Sequence, residues 1–487
     1  MENDPSDEGQ SSHRAGRGRR DPERRGTLAL SEDEGYVGET VTFRGRNFPA
    51  NERFDVVWGS VQGEWGVLEA HEVVGTQFRP REDTVATVEA DGDGSFDYEW
   101  TIPEDYGGSH EVEVRDGDGE TLAAAELEVL PWFDLEEQTA QLGESFTLRG
   151  YGLGPGVMRN NYQVSWDNGN IGFMTGVMNR GTATAEIRAA ETGEHVIQVW
   201  RNYRGIPYLL NNTQSPFGSV GGGRQNVWTV EVTEPEERPR TAWMDTLFDE
   251  SPLELHYPPL DEDTAAELSV SPQCGQPGTE ATVAGTAFPP NTEVDLVWYR
   301  HEGHEPRGTD DTPSTKVSAR PKPDVLPTVE TDGAGEFSVD VEIPRDVGST
   351  RPITARVRGR EVAVTGFMLQ PKIERFEPTS GPVGTPIEIE LSGVGWTNYE
   401  NAPILVYDND PLGYFCGTGG DDETGTVNPI IRAAGDPGYH CIDIYPALFW
   451  VEEDLPDFEL KPHLSYLDNH PVRPLPAVHF TFEVTDG

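Results

Sequence analysis

Lysine is nearly missing from this chain. Four residues (Lys316, Lys322, Lys372 and Lys461) are all there are among 487. Arginine supplies almost all positive charge, and 36 basic residues face 86 acidic ones, a net charge of -50. A phosphate backbone would meet net repulsion from such a chain, which argues against nucleic acid as a partner. Cysteine is also scarce, three residues in all, too few for a disulfide framework. No apolar run approaches the length needed to cross a bilayer, so no transmembrane segment is read here. Helical heptads are absent, as are the nucleophile elbow, the phosphate loop, HExxH and CxxC. Paired acids occur everywhere in so acidic a chain, so none of them identifies a glycosidase dyad. The expectation is a non-enzymatic protein with no cofactor and no metal site.

Glycine (54) and proline (39) are plentiful, while hydrophobic residues make up only 35%. That mixture suits short strands joined by many turns. The acidic residues are interleaved with Trp, Tyr, Phe and Val at strand spacing, which reads as a folded acidic surface rather than as disorder. Proteins adapted to concentrated salt have such surfaces, since repulsion is screened within about 3 Å at 1 M. The alternative is a merely acidic protein from a GC-rich organism. Residues 1–26 are polar and arginine-rich with no apolar stretch following, so they read as a disordered tail and not as an export signal.

The chain then repeats itself. Gly38-Glu39-Thr40-Val41-Thr42-Phe43-Arg44-Gly45 and Asp55-Val56-Val57-Trp58 return as Gly278-Thr279-Glu280-Ala281-Thr282-Val283-Ala284-Gly285 and Asp295-Leu296-Val297-Trp298. Val88 to Phe96 matches Val329 to Phe337, 241 positions on. A second unit repeats as well. Trp166-Asp167-Asn168 matches Tyr407-Asp408-Asn409, Ile171-Gly172-Phe173 matches Leu412-Gly413-Tyr414, and Ile187-Arg188-Ala189-Ala190 matches Ile431-Arg432-Ala433-Ala434. The order is A-B-A′-B′: module A at 27–130, B at 131–234, an acidic, proline-rich linker at 235–266, A′ at 267–370 and B′ at 371–487. The linker composition suggests that the two halves move relative to each other. Apolar residues alternate with polar ones through Phe96, Tyr98, Trp100 and Ile102, the signature of a half-buried strand. Modules of this length with such alternation and frequent turns predict all-β, tandem immunoglobulin-like sandwiches.

Pro378-Thr379-Ser380-Gly381-Pro382-Val383-Gly384-Thr385-Pro386-Ile387-Glu388-Ile389 resembles the opening of IPT/TIG-type immunoglobulin-like domains, and Gly275 to Phe288 resembles it in part. The match covers one strand and turn, about a fifth of each module, and is weak in B. The resemblance implies the sandwich fold and does not choose among the cell-surface proteins, receptors, carbohydrate-active enzymes and DNA-binding factors that carry such domains.

Asp91-Gly92-Asp93-Gly94 and Asp116-Gly117-Asp118-Gly119 hint at calcium, but further ligands and a closing Glu are missing, so plain hairpin turns are expected. The repeated aromatic-Asp-Asn and Gly-x-His elements are more specific. Asp167, Asn168 and His195, with Asp408, Asn409 and His440, could converge at one end of a sandwich; these groups would suit a sugar, a peptide or a metal, and a glycan, peptide or partner protein is the ligand expected. The competing reading is structural, with Asp and Asn making a turn and His ending a strand. Under the ligand reading, Asp408→Ala and His440→Ala weaken binding and leave the melting temperature nearly unchanged. Tyr208 and Tyr466 lie in long loops with a shared Pro-nine-Pro spacing and join the ligand candidates. Asn211 heads the one Asn-x-Thr sequon, meaningful only if the chain is exported. Cys416 and Cys441 occupy one module and are both replaced in its sister, as a bonded pair would be, or as two buried thiols would be.

The expected protein is therefore a non-catalytic cell-surface or extracytoplasmic binding or structural protein of a salt-adapted microbe. Two other readings stay open: an accessory portion of an ABC-type transport or surface-enzyme system, and an intracellular acidic scaffold without ligand. Oligomeric state is not legible.

Overall fold

The computed structural model describes residues 26–68, 72–155, 161–203, 206–207, 226–245, 260, 264–304, 318–395, 403–415, 425–448, 461–470 and 476–487. The expected tail, but for Gly26, lies outside these, as do Tyr208, Asn211 and Cys416. The described residues form strands joined by turns, and the one helix among them is short, Tyr466–Asn469. Among them no helix is long and apolar enough to cross a membrane.

Each module is a sandwich of one three-stranded and one larger sheet. In A the small sheet is Thr27–Leu30, Thr40–Arg46 and Phe96–Thr101. The five-stranded sheet runs Glu34–Tyr36, Thr121–Leu130, Gly108–Arg115, Arg53–Leu68, Glu72–Glu89. A′ repeats this order with Glu267–Ser271, Glu280–Thr286 and Phe337–Glu342 against a five-stranded sheet ending in Glu293–His304 and Ser318–Glu330. The alternation read from the sequence is the burial pattern: Phe96 and Trp100 are buried, Asp97, Glu99 and Thr101 exposed. Phe43 and Trp100 meet in that core as tilted rings with centroids 5.3 Å apart.

In B the small sheet is Trp132–Leu135, Ser145–Tyr151 and Ala183–Arg188. Its larger sheet runs Thr139–Gln141, Val227–Thr233, Gly193–Tyr203, Tyr162–Trp166, Gly169–Met174. B′ has Lys372–Glu377, Pro386–Ser392 and Ile430–Arg432 facing Val478–Val484, Gly438–Tyr445, Ile404–Tyr407 and Asp410–Tyr414. In both modules the opening segment changes sheets. It pairs antiparallel with the second strand and then parallel with the last one, through Thr139–Gln141 in B and Ser380–Gly381 in B′.

The segment expected as a linker is partly a strand. Ala242–Met244 adds to the edge of the B′ sheet, antiparallel to Val478–Val484. Ala242 and Met244 pack on the B′ core, and the Asp245 amide donates to Ala477 O. B and B′ also share apolar interior. One continuous cluster contains Phe146, Trp166, Ile171 and Ile197 of B together with Ile404, Val406, Tyr445 and Leu464 of B′. Both findings correct the expectation of halves hinged at a flexible linker, for B and B′ are packed against each other. Tyr162–Trp166 and Ile404–Tyr407 are buried at every position, which alternation alone does not produce in a strand with one wet face.

The Asp-Gly stretches are turns. Asp91 Oδ1 accepts the amides of Asp93 and Ser95, and Asp116 Oδ1 those of Asp118 and Glu120. Asp332 does the same for Ala334 and Glu336. These carboxylates hold their own backbone, with glycine at the left-handed position (Gly94 φ 73°, Gly335 φ 79°).

Candidate functional site

Asp167 and Asn168 join Tyr162–Trp166 to Gly169–Met174, and Asp408 and Asn409 join Ile404–Tyr407 to Asp410–Tyr414. All four residues have positive φ: 48° and 70° in B, 46° and 65° in B′. Positive φ at both central positions defines the type I′ hairpin, and Asp and Asn tolerate it better than most side chains. The carboxylate is thereby aimed across the neighbouring strand. His195 Nδ1 lies 2.6 Å from Asp167 Oδ2, and the Val196 amide donates to Oδ1 at 2.8 Å. In B′, His440 Nδ1 lies 2.6 Å from Asp408 Oδ2, and the Cys441 amide donates to Oδ1 at 2.8 Å.

The other imidazole nitrogen is also engaged. His195 Nε2 meets Glu191 O at 3.1 Å and His440 Nε2 meets Asp436 O at 2.8 Å. A carboxylate and a carbonyl only accept, so His440 satisfies both when each ring nitrogen carries hydrogen. Burial opposes its charge, but the Asp408 carboxylate outweighs burial and holds the His440 pKa above the usual value. Each ring lies against the aromatic before its turn, Trp166 at 4.5 Å and Tyr407 at 5.6 Å. The constellation is a clasp tying a hairpin to the next strand. Carboxylate and imidazole are committed to each other and to backbone, and the structural alternative fits this geometry.

Both clasps lie near Glu191, whose carboxyl is raised by burial and then by Asp408, with His195, His440 and Asp167 also acting on it. The expected residues are thus brought together across the junction of B and B′. Among the described residues, however, no group of three or more His, Cys, Asp or Glu could hold a metal. The two turns differ in cover. Asp167 keeps 45% of its side chain exposed, Asp408 only 10%. Asn168 accepts from Gln198 at the surface, whereas Asn409 is buried and donates to Arg188 O of the other module at 2.9 Å.

Tyr466, expected as a ligand contact, is buried, with its hydroxyl donating to the Asp245 carboxylate. It belongs to a charged cluster that sequence reasoning missed. His479 Nδ1 lies 2.6 Å from Asp443 and Nε2 3.2 Å from Asp245. Arg188 Nε lies 3.2 Å from Asp443, and its guanidinium covers the Trp243 ring at 4.6 Å. Arg188 is 2% exposed and Asp443 not at all. Arg188, joined by His479 when it is protonated, offsets the two carboxylates there, which favours such burial. Burial opposes the charge on His479, but Asp245 and Asp443 raise its pKa. The tryptophan within an acidic, proline-rich stretch, Ala242-Trp243-Met244-Asp245, was the signal that could have located it.

Cys441 is a free, buried thiol, with Arg188 at 3.5 Å from its sulfur. Burial pushes its pKa up to about 12. Cys416 lies outside the described residues, and the Cys441 thiol packs into the contact with B, beside Ala189 O.

No family model matches the chain, and no curated protein matches it. Among solved structures, Salmonella alpha-2-macroglobulin reacted with methylamine aligns at 10% identity and a TM-score of 0.18, over 95% of this chain and 31% of that one. The ICAM-5 D1-D4 ectodomain fragment aligns at 12% and 0.17, over 87% of this chain and 95% of that one. The central fibronectin-III array of RIM-binding protein aligns at 12% and 0.13, over 65% of this chain and 90% of that one. The chain spans less than a third of the alpha-2-macroglobulin it matches. At these TM-scores the likenesses assign no activity and no partner.

Proposed function

We propose that this chain is a non-catalytic binding or structural protein of the cell envelope or exterior of a salt-adapted microbe, built from IPT/TIG-type modules. The observation that carries this reading is the use of the repeated polar residues. Asp167–His195 and Asp408–His440 brace their own sheets, and Arg188, Asp245, Asp443 and His479 brace B against B′. Chemistry that another protein would present to a substrate is used here to hold a scaffold rigid. A surface of net charge -50 with little lysine favours function in concentrated salt. Ligand recognition then falls to B-type loops rather than to the clasps.

The test is a screen of glycans, peptides and cations against the full chain in molar salt, with fractionation of the producing cells beside it. Saturable binding together with recovery from the envelope or medium supports the reading. Recovery in the cytoplasm alone, with nothing bound, returns the protein to an internal acidic scaffold.

A further inference from the structure

The outer edges of the two B-type hairpins are equivalent in register and opposite in cover. In B, Phe173 pairs with Gln163 of the neighbouring strand; in B′, Tyr414 pairs with Ile404, 241 positions on in both cases. Both hairpins carry the same bulge, between Val164 and Ser165 and between Leu405 and Val406. The outward side of the B edge is occupied. Phe173 N donates to Pro462 O at 3.0 Å, Leu464 N donates to Phe173 O at 2.8 Å, and His463 forms a parallel bridge with Phe173. The His463 ring stacks on Phe173 at 5.0 Å, and Ser465 Oγ completes the row by accepting from Thr175 N at 2.8 Å. The Lys-Pro-His-Leu-Ser segment meets the sheet edge through a single parallel bridge at His463, with a main-chain hydrogen bond on each side of it, before turning into the short helix.

Among the described residues the B′ edge has no such cover. Leu412 is 54% exposed and Tyr414 56%, where Ile171 is 4% and Phe173 0%. A Cβ placed on Gly172 would lie 2.5 Å from Pro462 O and 2.8 Å from Leu464, whereas one on Gly413 meets nothing within 4 Å. Among the described residues nothing pairs with the outer side of Asp410–Tyr414. Exposed sheet edges with apolar side chains are templates for strand addition, the main chain supplying affinity and the pockets specificity.

We propose that the Asp410–Tyr414 edge of B′ is a docking site for an extended segment of a partner protein. The occupied sister edge states its chemistry: a Lys-Pro-x-Leu strand running parallel to the edge. Leucine would cover Leu412 and Gly413, the residue before it would lie on Tyr414, and the basic flank suits a chain this acidic. This site is independent of the loop recognition proposed above.

The probe is a fluorescein-labelled peptide with the sequence of residues 461–466, titrated with the full chain in molar salt and read by anisotropy. Saturable binding is expected, weakened at least tenfold by Leu412→Lys and by Tyr414→Pro. Proline is tolerated on an edge whose N–H faces outward, so Tyr414→Pro should fold; circular dichroism checks this. Val325→Lys, at an exposed site in another module, should bind as the parent does. Absence of saturable binding, equal binding of a scrambled peptide, or equal binding by both edge variants overturns the proposal. Sedimentation adds a further outcome. Self-association of the chain that Leu412→Lys abolishes would make a second copy the occupant, and would equally overturn it.

Discussion

Arg188 and Arg432 occupy the same place in the same Ile-Arg-Ala-Ala motif, and each donates to the carbonyl of its sister glycine, Gly143 or Gly384. There the likeness ends. Arg188 is buried beneath Trp243 against Asp443, while Arg432 stands in solvent. Asp443 has Gln198 at the matching position of B, so the ion pair cannot be made in the reverse sense. A duplicated module has kept what folds it and differs where it meets its sister. Within one module the repeat encodes ladders, turns and clasps, and between modules single unmatched residues encode the docking.

The largest effect should come from the unmatched cation. Arg188→Met removes one member of a buried, charged cluster and should cost about 3 kcal/mol, the lower end of the range for breaking buried pairs. Arg432→Met, on the surface, should change stability by less than about 0.5 kcal/mol. Urea unfolding of both variants in molar salt measures the difference. Equal losses would mean that the arginine matters for its own module only.

The clasps come next. Asp408→Ala leaves His440 facing a carbonyl with its other nitrogen unpaired in a buried site, and should cost about 1–3 kcal/mol. Asp167→Ala should cost less, because water reaches that turn. Thermal melts of the two variants check the order. A melting temperature unchanged in Asp408→Ala would restore the ligand reading of this residue.

Much of this architecture was legible because it is local. Period-two alternation marked the Phe96–Thr101 strand, and Asp-Gly and Asp-Asn pairs marked turns whose positive φ few other residues tolerate. Repetition singled out Asp167, His195, Asp408 and His440, which the folded chain joins as two Asp–His pairs. Their role was not legible, since the same residue types suit a ligand or a clasp until both nitrogens are seen to be engaged. Ala242–Met244 escaped notice because three residues carry no period, and because its partner strand lies beyond a whole intervening module. Arg188 and Asp443 are ordinary charges in sequence, and only packing makes them a pair.

The sister glycines sharpen the comparison at a smaller scale. Gly172→Ala would drive a methyl group into Pro462 O and Leu464 from a backbone φ of 156°, so a loss of about 1–3 kcal/mol is expected. Gly413→Ala meets nothing among the described residues and should stay within about 0.5 kcal/mol of the parent. Differential scanning fluorimetry resolves the two. A comparable loss at Gly413 would mean that its edge is covered after all.

Proton linkage supplies the smallest and most distributed effect. His440 and His479 have pKa values raised in the folded chain by Asp408, and by Asp245 and Asp443. A raised folded value means that the native state binds the proton more tightly than the unfolded state does. Their contribution is therefore complete below the unfolded histidine value of about 6.5 and fades as pH rises through each folded value. The melting temperature in molar salt should fall from pH 6 towards alkaline pH. His479→Gln should flatten that slope more than Arg432→Met does, since its proton lies between two carboxylates at the meeting of B′ with the Ala242–Met244 strand. Salt will not erase the trend, because buried pairs are screened far less than surface ones. A slope unchanged in His479→Gln would place the titrating groups elsewhere and leave the buried cluster a matter of packing alone.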